Sequence, residues 1–270
     1  MLRPFEGRTD ETEWIALREV VPAATAPLRL RDEPDREVTL STVLPLNWPA
    51  MVRADGRVFL GLQVPTRSGD VSRDLAAALE LALASAPGSS VQLTDLPGPG
   101  PRLQDLLDDA PIEVTVHDGF DYWIDGAPAA DDEDEDDDVA ASMERANATV
   151  VPTVRLSGVP SAYWCRMKER AHLRWVLPED EDDALNALAR VAADGGLGIG
   201  PDTRYVGAFR AHGLLVPVWD LPIDRAAADL EQPILELRAR LDEALTRTEP
   251  LTTDERRARA GLTSRQITLR

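Results

Sequence analysis

Short alternating apolar segments recur in the same order in the two halves of the chain. The first half contains "AMVRADGRVFLGLQVP" (Ala50 to Pro65), in which two apolar segments flank the turn residues Asp55 and Gly56. The second half contains "AYWCRMKERAHLRWVLP" (Ala162 to Pro178), in which two such segments flank residues 167–170. Alternation with a period of two around a polar turn is typical of a β-hairpin. We therefore predict one hairpin in each half, ended by a proline.

An amphipathic helix is predicted after each of these prolines, where the apolar period changes from two to that of a helix. Both segments begin with acidic or hydroxyl residues, and Ser68 or Asp70 can accept hydrogen bonds from the free N–H groups of the first turn. The residues expected on the buried faces are Leu75, Leu79 and Leu83 in the first half, and Leu185, Leu188 and Val191 in the second.

The flanking segments extend this correspondence. A helix-like segment runs into Val-Val-Pro and then a strand at Arg18 to Leu30, and again at Asn147 to Leu156. A second hairpin is predicted at Ile112 to Ile124, around the Asp-Gly pair at 118–119, and at Arg204 to Leu221, around residues 211–213. A helix over residues 228–245 closes the second half, with its proline near a break or a start.

This order of elements predicts an α+β fold. Each half follows approximately α-β-β-β-α-β-β, and the second half adds a helix, so we expect two tandem domains of five antiparallel strands with helices on one face. The predicted domains span residues 1–128 and 141–250. Two such copies in one chain are expected to form an intramolecular pseudo-dimer, either as a monomer or as a weak homodimer.

An acidic run, "DDEDEDDD" (Asp131 to Asp138), separates the two halves. A calcium loop of the EF-hand type needs glycine at its sixth position and glutamate at its twelfth, where this run has Asp136 and Ser142. A nucleic-acid mimic needs carboxylates fixed at phosphate-like spacing, whereas adjacent like charges repel into an extended segment. We therefore interpret residues 129–140 as an acidic linker.

Charge limits the classes of partner. The net charge is −19, and removing the eight charges of the run still leaves −11. Such a surface repels nucleic acid and anionic lipid and favours a basic or extended protein partner. No apolar stretch reaches the length of about 18 residues that a membrane span needs, and the start "MLRPFEGRTD" lacks the apolar region of a secretory signal. One cysteine fits a reducing compartment, so we expect a cytoplasmic protein.

The strongest candidate for chemistry lies on the predicted hairpin at Ala162 to Pro178. If residues 167–170 form its turn, Cys165 lies opposite His172 and Tyr163 lies opposite Arg174, all on one face. A cysteine paired with histidine beside an arginine can form a reactive thiolate. The alternative is that this face has no chemical role and that Trp164, with its neighbours, forms an ordinary apolar face.

Further candidates concern binding. The residues that we consider as anchors for a partner are Trp123, Tyr163, Trp164, Arg174 and Trp219, although aromatic rings are more often core residues. The tail at 251–270 carries five arginines against two acids and is expected to dock on the acidic body or on another molecule, or else to fray. His117, His172 and His212 do not have the spacing of metal ligands, so we predict no metal and no cofactor.

Two resemblances accompany these patterns. The chain resembles an uncharacterised actinobacterial family, the domain of unknown function 5926. The segments that carry this resemblance are "RPFEG", "GPRLQDLLDD", "VHDGFDYW", "HLRWVLP", "GLLVPVWDLP" and "GLTSRQITLR". The order of elements in each half resembles the type III secretion chaperone-like fold, including the YbjN-type group, in topology alone. The second resemblance implies a small acidic protein that holds an extended segment of a partner.

The sequence therefore predicts a non-enzymatic adaptor or chaperone-like protein. The alternative is an enzyme or a small-molecule sensor that uses a cleft between the two halves, with Cys165 and His172 as its reactive residues. An open aromatic sheet favours the adaptor, whereas a deep pocket near Cys165 and His172 favours the alternative.

Overall fold

The computed structural model describes residues 3–65, 67–93, 95–124, 141 and 143–264. The chain divides into two compact units, one at Arg3–Val151 and the other from Pro152 onwards. The predicted acidic linker at 129–140 lies outside the described residues.

The first unit is built on a six-stranded sheet with the strand order β5-β3-β4-β2-β1-β6. All its strand pairs are antiparallel except β2 and β4. The 13-residue helix α2 packs against β3 and β4, and Asp70 caps it by accepting a hydrogen bond from Ser72 N at 3.1 Å. In chain order the elements are α1 (Glu11–Glu19), β1 (Ala24–Leu28), β2 (Val38–Ser41), β3 (Ala50–Val52), β4 (Val58–Gly61), α2 (Val71–Leu83), β5 (Ser90–Val91), α3 (Leu103–Leu106) and β6 (Thr115–Val116).

Two predictions for this unit were wrong. The pattern missed β2, which inserts between β1 and β4, and the two-residue β5, so the sheet has six strands and one parallel pair instead of five antiparallel strands. The predicted hairpin at 112–124 contributes only the two-residue β6, and Asp121–Trp123 form a 3₁₀ turn. Phe120 and Trp123 pack instead in a core cluster with Met51 and Phe59, because burying two large rings outweighs the few hydrogen bonds of a second strand.

The second unit follows the predicted order of elements. Its five strands are antiparallel, in the order β10-β11-β9-β8-β7, and residues 143–147 before β7 are helical. The elements are β7 (Thr153–Arg155), β8 (Ala162–Met167), β9 (Arg170–Trp175), α4 (Glu181–Ala193), β10 (Arg204–Ala211), β11 (Leu214–Leu221), α5 (Glu231–Leu245) and α6 (Thr253–Ser264).

One face of this second sheet packs on the helices. Trp164, Leu173 and Trp175 enter a core cluster with the predicted apolar positions of α4 and with residues of α5. Glycine ends α4: Gly195 adopts a φ of 70°, and Gly196 N donates to Val191 O at 2.8 Å. The glycine-rich segment at 195–200 is thus a helix stop.

Two segments do not lie where the predicted domain boundaries place them. Met143, Ala146 and Val150 pack on the core cluster that contains Phe120 and Trp123, so this segment belongs to the first unit and not to the start of the second domain. Most of the predicted basic tail forms α6, which packs on α4 and buries Leu262 in the second core. Residues 253–264 of the tail therefore dock on the body of the protein, which was one of the alternatives for this segment.

Candidate functional site

A row of polar residues crosses the face of the second sheet opposite the helices. Cys165 on β8 pairs with His172 on β9, and His172 pairs with Asp220 on β11. Tyr163 pairs with Arg174. The register predicted from the hairpin turn is therefore confirmed, and the third strand adds Asp220, which the sequence pattern did not single out.

Asp220 is the electrostatic centre of this row. Its Oδ1 lies 3.1 Å from His172 Nδ1, and its Oδ2 lies 3.0 Å from Arg204 and 3.5 Å from Arg170. Burial lowers the pKa of His172, and the positive charges of Arg174 and Arg170 add to this effect, against the opposing influence of Asp220. The imidazole is therefore neutral near neutral pH and donates its Nδ1–H to the carboxylate.

The environment of Cys165 opposes thiol chemistry. The residue is only 2% exposed, and burial raises the pKa of its thiol, although the charge of Arg174 acts in the opposite direction. A reactive cysteine needs a lowered pKa and access to a substrate. The alignment of Cys165, His172 and Asp220 resembles a catalytic triad in order, but the thiol lacks both properties.

The aromatic candidates for partner binding are core residues. Trp123, Tyr163, Trp164 and Trp219 are all buried, and the indole N–H groups of the three tryptophans donate to backbone carbonyl oxygens. Arg174 is half-buried and donates to Met167 Sδ at 3.2 Å. These rings would have to leave the core to anchor a partner. The structure therefore favours the alternative that they are core residues.

A groove in the first unit offers a more accessible site. It has a volume of about 490 Å³, and its walls come from three separated parts of the chain. Most of its lining is apolar, with one arginine and one carboxylate at the side formed by the start of α2. The residues of the groove are Leu46, Asn47, Trp48, Pro49, Val64, Pro65, Arg67, Asp74, Gln92 and Leu93.

The rim of the groove contains a strained turn. Leu46 and Asn47 adopt φ angles of 51° and 56°, a region that is unfavourable for a branched side chain such as leucine. The turn is fixed by hydrogen bonds from Asn47 N to Leu44 O and from Trp48 N to Pro45 O, both at 3.0 Å. Leu46 is 60% exposed, so this turn presents a large apolar side chain at the surface.

An open sheet edge borders the same groove. Among the described residues, β5 pairs only with β3, and it ends immediately before Gln92. Val52 N donates to Ser89 O, and hydrogen-bonded pairs alternate along an antiparallel ladder, so the backbone groups of Ser90 and Gln92 face away from β3. An extended peptide can pair with such an edge.

The opposite wall is held in place by polar contacts. Arg18 donates to Leu62 O and, at 2.8 Å, to Val64 O, and burial lowers the pKa of its guanidinium. The buried carboxylate of Asp74 accepts hydrogen bonds from Arg67 N at 2.7 Å and from Ser68 N at 3.1 Å. The groove is therefore preformed, which lowers the entropic cost of binding.

The sequence pattern did not indicate this groove. The one local signal was "PLNWP", in which two prolines fix the backbone around an exposed leucine and a tryptophan. In the part of the chain that the structure describes, no cluster of His, Cys, Asp or Glu has the arrangement of a metal site. Every helix in that part is too short or too polar to be a membrane span.

The fold is that of an α+β protein whose chain divides into two compact units. The chain belongs to a family of unknown function (DUF5926), whose model matches residues 4–270. No curated protein and no solved structure matches the chain. The resemblance to the secretion chaperone-like fold therefore stays a prediction from topology.

Proposed function

We propose that this protein is a non-enzymatic adaptor that binds an extended, apolar segment of a basic partner protein in the groove of the first unit. The observation that carries this proposal is the exposed Leu46, held by a strained backbone beside the open edge at β5. Strain of this kind is maintained where a side chain must be presented. The cytoplasm is the proposed location, as the lone cysteine favours.

Each property of the proposed ligand follows from one feature of the site. The edge of β5 favours an extended backbone, since it offers the hydrogen-bonding groups of a missing strand. The apolar walls, which include Trp48, Val64 and Leu93, favour alternating apolar side chains. The net charge of −19 attracts a partner with lysine or arginine around that segment.

Binding of short labelled peptides, measured by fluorescence anisotropy, tests the proposal. One peptide alternates leucine and serine between lysine flanks, a second has the same core between glutamate flanks, and a third replaces every leucine by serine. We expect saturable binding of the first peptide, weaker binding of the second and none of the third.

A pair of matched variants locates the site. Leu46→Asp places a charge in the groove and should weaken binding about tenfold, as loss of an anchor residue does. Leu81→Asp makes the same change at a leucine that is 45% exposed on α2, outside the groove, and should bind like the wild type. Equal losses in the two variants, or no preference for the leucine core, would refute the proposed site.

A further inference from the structure

Arg190, near the end of α4, is a buried cation without a carboxylate partner. It is 7% exposed, and its guanidinium donates only to backbone oxygens, to Ala244 O at 2.9 Å and to Glu249 O at 2.8 Å. Among the described residues it forms no ion pair, and its Nε is buried without a hydrogen-bond partner. Buried charges are normally paired with an opposite charge, whereas backbone carbonyl dipoles alone compensate the charge of Arg190 among the described contacts.

Two further arginines line the same cavity, which has a volume of about 210 Å³. Arg240 donates to Gly198 O at 3.3 Å, and its Nε is likewise buried without a partner in the described part of the chain. Arg247 pairs with Glu255 at 2.9 Å and is the most accessible of the three. Three arginines thus line one cavity in a chain whose net charge is −19.

The polar surroundings leave room for an anion. The cavity lies near the C-terminal ends of α4 and α5, where free carbonyl groups would repel an anion. Several carbonyl groups there already accept hydrogen bonds from Arg190 and Arg240. Asp194 and Glu243 also line the cavity, but neither lies within ion-pairing distance of the three arginines among the described contacts, and the lining keeps a positive net charge.

We propose that this cavity binds a small oxyanion, the phosphate or carboxylate group of a small molecule, through Arg190, Arg240 and Arg247. Each guanidinium carries five N–H donors in a planar fork that matches such a group. The known hydrogen bonds of Arg190 and Arg240 leave several of these donors unused. The site is separate from the peptide groove and does not depend on the proposed adaptor function.

Equilibrium dialysis of the full chain against radiolabelled inorganic phosphate tests the site, with ionic strength held constant by sodium chloride. A parallel series with labelled succinate separates a phosphate site from a carboxylate site. We expect one anion to bind saturably with one equivalent per chain. Arg240→Gln and Arg247→Gln should each weaken that binding about tenfold, as loss of a charged hydrogen bond does.

Arg257→Gln is the matched control, because it removes the same charge from a side chain of α6 that is 78% exposed and outside the cavity. It should bind the anion like the wild type. Circular dichroism checks that each variant is folded, and Arg247→Lys replaces Arg247→Gln if that variant is not. The proposal is overturned if neither anion binds saturably, or if Arg257→Gln loses as much affinity as the cavity variants.

Discussion

At the scale of single residues, burial determines the protonation of Cys165 and His172. The raised pKa of the thiol and the lowered pKa of the imidazole both favour the neutral forms. A catalytic cysteine–histidine pair instead needs the charged forms, a thiolate and an imidazolium. The polar row on the second sheet therefore contributes a structural hydrogen bond between His172 and Asp220, which links strands β9 and β11.

Alkylation of Cys165 is predicted to be slow in the folded protein. Burial keeps the thiol protonated and inaccessible, and only the thiolate reacts with iodoacetamide. We expect a rate at neutral pH well below that of the same protein in denaturant, measured by mass spectrometry. A rate above that of the denatured chain would instead support a catalytic thiolate.

His172 is predicted to reduce stability at low pH. Its folded pKa lies below the ordinary value, so the unfolded state binds the proton more tightly. The stabilising contribution of this residue is present above about pH 6.5 and is lost as the pH falls. His172→Asn keeps a donor near Asp220 but does not titrate. Urea unfolding at several pH values should show a smaller loss in this variant, and equal losses would contradict the prediction.

At the scale of elements, the backbone departs from the conformation that the local sequence favours in two places. The segment after β6 forms a turn that buries Phe120 and Trp123 instead of a second strand. The turn at Leu46 and Asn47 keeps a positive φ although neither residue is glycine. In both segments, the folded chain adopts a backbone conformation that the local sequence does not favour.

Leu46→Gly is predicted to separate stability from binding. Glycine adopts a positive φ without steric cost, so the free energy of unfolding should stay equal or rise by up to about 1 kcal/mol. Peptide affinity should fall because the exposed side chain is lost. Thermal unfolding and peptide anisotropy measure the two effects. A loss of more than about 1 kcal/mol would show that the turn is not strained.

Helix α6 is predicted to be a structural part of the second unit. Leu262 is buried in its core, so Leu262→Ala should lower the free energy of unfolding by about 2–3 kcal/mol. Leu235→Ala makes the same change at a leucine of α5 that is 44% exposed, and it should cost less than about 1 kcal/mol. Similar small effects at both positions, measured by urea unfolding, would mean that α6 is only loosely attached.

At the scale of the whole molecule, charge is the property most relevant to a partner. The net charge of −19 produces a negative electrostatic field around the molecule. Electrostatic attraction of this kind raises association rates and weakens as salt increases.

Peptide binding is therefore predicted to depend on salt and on the sign of the peptide charge. Raising the salt concentration from about 0.05 to about 0.5 M shortens the screening length, so the affinity for the lysine-flanked peptide should fall. The affinity for the glutamate-flanked peptide should rise or stay constant. The same anisotropy assay measures both, and a fall for both peptides would contradict electrostatic selection.

The sequence by itself determined the α+β class, the order of elements from Thr153 to Leu245 in the second unit and the pairing of Cys165 with His172. These features depend on residues that are close in the chain: alternation defines the strands, and a polar turn sets the register of a hairpin. Glycine at 195–196 ended α4 for the same local reason.

Only the tertiary structure decided which residues are accessible. The groove joins segments near residues 46, 64 and 92, and the arginine cavity joins residues 190 and 247, so no local pattern contains either site. Burial of Trp123, Trp164 and Trp219 likewise depends on elements distant in the chain. Periodicity shows which face of an element is apolar, but long-range packing decides whether that face is covered.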